Sequence, residues 1–366
     1  MKKLFVLTMI FAISFGLSGV GMAETTADDY PVTTGLTSDT SGGATPIVKA
    51  KWEAYPDGRY KDESTDSGAQ FMPSGVEGKV TTISICAIVT DPDGLADIQN
   101  VYADVFYPDV ALGSSHVPLT DQSGDGCGKL MQEDSLTRLT KQDGIDLFCN
   151  MVKNHNNNLP TFESGYNYDE ICAADGELMK ETAAVYCGEK DLSYEDPSGE
   201  YEVWAVGQDQ NGLQGILKNH FDYLPLTAFE TDFDSIQYGN VRLNTHKIIN
   251  GDLTWNDGSG PGGANLATVR NVGNTRLAMK VWQDDMGLGK TDGDWNVKYD
   301  GRVGSDAAFT DYDPEVTTQL VKELDLSELN EMDFSVDISK FPPATGPDYT
   351  GSMTLSAVSV DHLVCN

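Results

Sequence analysis

Residues 81–107 read TTISICAIVTDPDGLADIQNVYADVFY, and the fold turns on this stretch. Ile83, Ile85, Ala87 and Val89 occupy every second position up to Thr90, the period of a strand that buries one face. Asp91-Pro92-Asp93-Gly94 then stops the run, because Pro lacks a backbone donor, Asp side chains brace turns and Gly accepts positive φ. A second apolar run follows from Leu95 to Tyr107. Far downstream the same grammar returns: YEVWAVGQ from Tyr201, the turn Asp209-Gln210-Asn211-Gly212, then LQGIL. Two hairpin-like units so far apart, each turning on an Asx-rich loop, are what a β-sandwich with Greek-key wiring requires.

The chain begins with Lys2 and Lys3, an apolar run from Leu4 to Phe15, and Gly21-Met22-Ala23 before Glu24. This is the pattern of a secretory signal peptide over 1–23. Gly16, Ser18 and Gly19 break the run too early for an anchor, and no later run reaches spanning length, so no membrane insertion is expected after signal removal. The expected location is secreted or at the cell surface. A formal net charge of −33 repels nucleic acid and anionic lipid, which sets both aside as partners. It suits a saline exterior or a surface that gathers divalent cations; solubility alone explains it equally well.

Six cysteines, Cys86, Cys127, Cys149, Cys172, Cys187 and Cys365, form an even set in an exported chain and point to disulfides. Close C-x-x-C pairs, the mark of a metal site, are missing from the sequence. Bridges are expected among the four from Cys127 to Cys187, with Cys86 and Cys365 unassigned.

Residues 24–45 are rich in Thr, Ser, Gly and Asp and read as a flexible leader. Donation of this leader to a neighbour's sheet is a weaker reading, since only Tyr30, Val32 and Leu36 are large and apolar. The first domain is expected over 46–227, opening with the strand IVKAKWEAYP. Within it, 109–196 breaks the strand rhythm. Ile145, Phe148, Cys149 and Val152 fall at helical spacing with Asp143 as N-cap, and Leu178, Met179, Val185 and Tyr186 suggest a second helix ended by Gly188. A disulfide-pinned helical insertion is therefore expected, either carrying function or capping a sheet edge. Residues 228–366 hold further alternating segments, SIQYGNV, NLATVRN, RLAMKVW, WNVKYDGRV, MDFSVDIS and GSMTLSAVSV, and read as a second sandwich. The fold class is thus mainly β: two immunoglobulin-like antiparallel sandwiches, the first with a disulfide-containing helical insertion.

ISICAIVTDPDGLADIQNVYADV and YEVWAVGQDQNG together resemble immunoglobulin-like modules of prokaryotic surface proteins. In those, a DPDG turn joins the second and third strands and a D-x-x-G turn joins the last two. SIQYGNV, ATVRNVGNTRLAMKV and the ending SKFPPATGPDYTGSMTLSAV look like another exported sandwich type. The resemblance implies an envelope, matrix or accessory role and reports fold, not chemistry. It also implies that both turns lie at one end of the first sandwich. Asp91, Asp93, Asp209 and Asn211 would then converge as hard oxygen ligands suited to Ca²⁺. Turn chemistry alone is the competing explanation. Asp121, Ser123 and Asp125 echo an EF-hand loop, but Gln132 stands where its closing acid belongs. Asp284, Asp285, Asp292 and Asp294 read as a solvated loop. Trp204, Trp255, Trp282 and Trp295 read as sheet residues, with a sugar-stacking platform the alternative. Five dispersed histidines and no H-E-x-x-H or G-x-S-x-G stretch give no catalytic motif.

The expectation is an exported, acidic, non-enzymatic structural or adhesive protein. Its partners would be other surface or matrix proteins or copies of itself; no cofactor is firmly indicated, Ca²⁺ being the one candidate. A carbohydrate- or ligand-binding accessory module is the alternative, with a polysaccharide as partner.

Overall fold

The computed structural model describes residues 43–56, 69–108, 129–155, 158–256, 266–342 and 348–360. The first sandwich uses β1 (Ile47–Ala54), β2 (Ala69–Phe71), β3 (Val80–Thr90), β4 (Ile98–Phe106), β5 (Leu130–Ser135), β6 (Thr137–Arg138), β7 (Thr161–Phe162), β8 (Ala183–Ser193), β9 (Gly199–Asp209) and β10 (Gln214–Tyr223). One sheet runs β6-β8-β3-β1-β7 and the other β2-β10-β9-β4-β5. All pairings are antiparallel except β10 with β2. Strands β3 to β4 and β9 to β10 connect through the DPDG and DQNG turns, as an immunoglobulin-like topology demands. Tyr201, at the start of β9, donates its hydroxyl to Pro197 O at 2.7 Å and pins that corner. Ile83, Ile85, Ala87 and Val89 are fully buried, as their alternation predicts.

The inserted region covers the other side of that sheet. Thr140, not Asp143, caps its first helix α1 (Lys141–Gly144), because the Thr140 hydroxyl accepts from Asp143 N. A π-helical stretch, Ile145–Val152, continues it, with Ile145, Phe148, Cys149 and Val152 all buried. α2 (Lys153–His155) follows, then α3 (Tyr168–Cys172) and α4 (Glu177–Lys180). Val185 and Tyr186 are not helical: they lie in β8, which pairs with β3 along its whole length. A four-residue helix cannot outcompete an eleven-residue ladder, and α4 stops at Glu181, in left-handed backbone. Two-residue strands β6 and β7 from the same region flank the sheet at either edge.

The disulfides correct one expectation. Cys149 bonds Cys172 within the insertion, but Cys187 bonds Cys86, directly opposite it across β3 and β8. Register, invisible without the β8 assignment, puts those two Cα atoms 4.2 Å apart. Cys127 and Cys365 lie outside the described residues.

The second sandwich comprises β11 (Phe229–Thr231), β12 (Lys247–Ile249), β13 (Thr268–Asn271), β14 (Leu277–Gln283), β15 (Lys290–Thr291), β16 (Asp294–Trp295), β17 (Val297–Val303), β18 (Thr310–Tyr312), β19 (Thr318–Leu324), β20 (Leu329–Ile338) and β21 (Met353–Ser359). A sheet ordered β11-β13-β20-β17-β18 faces a three-stranded one, β19-β14-β21. Met332, Phe334, Val336 and Ile338 fill the space between them. SIQYGNV, expected as a strand, runs outside the sheets. The Asn271–Asn274 turn is buried because it grips the linker: Asn274 Oδ1 accepts from Leu226 N and its Nδ2 donates to Leu224 O. A Cβ at Gly273 would lie 2.2 Å from Leu226 O, so only glycine fits there.

Candidate metal centre

The two turns meet at one end of the first sandwich. In the first, Asp91 Oδ1 accepts from Asp93 N at 2.7 Å, and Gly94, at φ +107°, closes onto Asp91 O. In the second, Asp209 Oδ1 accepts from Asn211 N and Leu213 N at 2.9 and 2.7 Å. Gln210 ties the turns together through bonds to Asp97 O and Ala96 O. Each of these Asp residues thus spends one carboxylate oxygen on its own turn, an Asx-type brace.

The other oxygen is what marks the site. Asp209 is fully buried and Asp91 4% exposed, and the Oδ2 atom of each has no hydrogen-bond partner among the described residues. Such an orphan costs free energy unless something else satisfies it. Asp91, Asp93 and Asp97 each place a carboxylate oxygen within 4.8 Å of the others. Gly43, at φ +79°, closes the cluster: a Cβ there would lie 3.3 Å from both Asp93 Oδ2 and Asp209 Oδ2, and 2.9 Å from Asn211 Nδ2. Ala44 N donates to Asp93 Oδ2 at 2.6 Å. Burial pushes the Asp91 carboxyl above the usual range; the Asp93 N–H opposes this, while the charges of Asp97, Asp93 and Asp209 add to it. The three mutually close carboxylates, with Asp209 beside them, offer oxygen donors of the kind a hard divalent cation such as Ca²⁺ prefers.

Asp91, Asp93, Asp209 and Asn211 are therefore brought together, although Asn211 turns its amide nitrogen inward. Asp97 is an addition that the sequence reading missed; its signal is the spacing of Asp91, Asp93 and Asp97 across the turn. Asp121, Ser123 and Asp125 lie outside the described residues.

The remaining candidates disperse. Asp284 and Asp285 accept backbone N–H bonds from Met286, Gly287, Gly289 and Ser352, as loop braces do. Trp204, Trp255 and Trp295 each carry a cation over one ring face, from Lys218, Arg270 and Lys290 respectively; Trp204 lies on β9, Trp295 on β16 and Trp255 in the segment between β12 and β13. His246 does meet an acid and a serine. However, Asp300 Oδ2 and Ser335 Oγ both address its Nε2, so the ring cannot relay a proton between them as a triad does. A groove of about 920 Å³ opens in the second sandwich between residues 233–241 and β21, lined by Phe233, Ile236, Tyr238, Met353 and Leu355 among others. No helix among the described residues is long and apolar enough to cross a membrane.

No family model and no curated protein matches the sequence. Among solved structures, the chain overlaps the CsuC–CsuE chaperone–tip adhesion subunit complex from Csu pili of Acinetobacter baumannii at 9% identity, over 74% of this chain and 88% of that one, with a TM-score of 0.22. A carbohydrate-binding module of the β-sandwich superfamily overlaps at 10% identity, 88% and 99% coverage and TM-score 0.21. The C-terminal domain of the Streptococcus pyogenes antigen I/II-family protein AspA overlaps at 13%, 86% and 95%, and 0.21. Overlap this low assigns no relationship; the fold class rests on the chain's own strands and sheets.

Proposed function

We propose that this chain is an exported, non-enzymatic structural or adhesive component of the cell surface or extracellular matrix, with a Ca²⁺ ion stapling the end of its first sandwich. The supporting observation is the pair of buried, unpartnered carboxylate oxygens on Asp91 and Asp209. A site that leaves two buried carboxyl oxygens unpartnered until a divalent cation arrives suits a calcium-rich exterior. Binding only to the folded chain would then stabilise it by mass action.

Calcium titration followed by scanning calorimetry tests this. Millimolar-range Ca²⁺ should raise Tm and a chelator reverse it, while Asp209→Ala should abolish the response. An unchanged Tm in the unsubstituted chain removes the calcium reading. The groove beside β21 favours a second reading, a carbohydrate- or ligand-binding accessory module, because its wall mixes aromatic rings with polar side chains such as Asp234, Gln237, Asn240 and Gln283, which could meet the faces and hydroxyls of a sugar.

A further inference from the structure

Strand β1 runs against the binary pattern of its sheet. Trp52 faces the insertion and packs on Phe148 with ring centroids 5.0 Å apart. Lys51 and Glu53 instead lie opposite Ala87 and Ile85 of β3, on the face that fills the space between the two sheets. Both are fully buried. Across the sandwich, β10 presents Leu217, Asn219, Phe221 and Tyr223 to the same core, with Asn219 the polar exception. The three polar groups close on one another. Lys51 Nζ donates to Asn219 Oδ1, and to Glu53 Oε1 at 2.5 Å; Asn219 Nδ2 donates to Glu53 Oε2 at 2.7 Å.

An ion pair here sits where hydrophobic side chains would serve stability as well or better. Its arrangement, an amine against a carboxamide with a carboxyl bridging the nitrogen of each, is that of an amide-exchange reaction. We propose that Lys51 and Asn219 join in an intramolecular isopeptide bond, formed by the chain itself with Glu53 carrying the protons.

Complete burial pushes the Lys51 pKa down, desolvation outweighing the attraction of Glu53. Proton transfer from Nζ to the Glu53 oxygen it touches leaves an uncharged amine beside an uncharged acid. The Nζ lone pair then adds to Cγ of Asn219, and the Cγ–Nδ2 bond breaks. The hydrogen shed by Nζ passes to Oε1 while the acid proton goes from the carboxyl to Nδ2, which departs as ammonia. The carboxyl ends the step protonated as it began, and nothing is oxidised or reduced. Fixed contact among the reacting groups supplies the proximity that a free amine and amide lack. Exclusion of water removes the competing hydrolysis. A similar grouping of Lys190, Gln132 and Asp134 lies where Gln132 is open to solvent, and lacks that protection.

The consequence would be mechanical. β1 and β10 are the first and last strands of this sandwich, from opposite sheets, and the cross-link spans a sequence separation of 168. A pull entering before β1 and leaving after β10 would run through covalent bonds instead of peeling strands apart.

Intact mass spectrometry of the reduced, alkylated mature chain decides the matter. The mass should fall about 17 Da below that of the sequence, one ammonia, and digestion should give a branched peptide joining the Lys51 and Asn219 segments. Lys51→Ala, Asn219→Ala and the near-isosteric Glu53→Gln should each show their full sequence mass. The proposal is overturned by a wild-type chain of full mass whose Lys51 and Asn219, as Asn or Asp, appear in separate linear peptides. That outcome needs no variant to fold and is independent of calcium.

Discussion

Asp91 and Asp209 each divide a carboxylate between a turn and a cluster, and pH should separate the two duties. With calcium chelated, the folded chain holds the Asp91 proton at a pH where the unfolded chain has released it, because burial raises the folded-state pKa. Stability should therefore fall as pH rises from the ordinary Asp range through the raised folded value, and stay at the lower level above it. Bound Ca²⁺ needs the ionised form, so with excess calcium the slope should weaken or reverse. Urea midpoints measured across this window, with and without calcium, check the sign. Asp91→Asn should flatten the chelated curve; parallel curves in all conditions would remove the cation from the account. At this scale much was legible. Asp91, Asp93, Asp209 and Asn211 are turn-forming types at turn positions, so their convergence needed only the right topology. Lys51, Glu53 and Asn219 were not, because a Lys and a Glu two apart in a strand look the same pointing inward or outward.

The elements carry a sharper contrast between the two disulfides. Cys86–Cys187 ties neighbouring strands over a sequence separation of 101, and Cys149–Cys172 ties helices over 23. Chain-entropy arguments give about 4.7 kcal/mol for a loop near 100 residues and about 3 kcal/mol for one near 15. A Cys86→Ala/Cys187→Ala variant should lose the larger share of global stability, read as a drop in urea midpoint at unchanged m. Cys149→Ala/Cys172→Ala should cost less and chiefly speed proteolysis within 141–180. Equal losses would argue that strand pairing already constrains β3 and β8. The helix from Lys141 was readable because its apolar stripe has a helical period. β8 was misread because AAVYCG carries no alternation: that strand is covered on both faces, by the sandwich core and by the insertion, so the period-two signal vanishes.

At the scale of the molecule, self-association and ligand capture make opposite demands. A structural component should form larger species in sedimentation velocity, more so with calcium. A binding module should stay monomeric and change its Tyr fluorescence on a polysaccharide panel through the groove near Tyr238 and Tyr349. A monomer at every calcium level that responds to a polysaccharide would replace the first reading with the second.

By itself the sequence determined that the chain is built from strands, where its tight turns fall, and how strongly acidic it is, because period-two patterning and turn chemistry are local properties of consecutive residues. Only the tertiary structure decided which cysteines face each other, that Asp97 joins Asp91 and Asp209, and that Lys51, Glu53 and Asn219 meet in a dry interior. Each of those depends on strand register and on which sheet face points inward, and both are set by contacts between residues far apart in the chain.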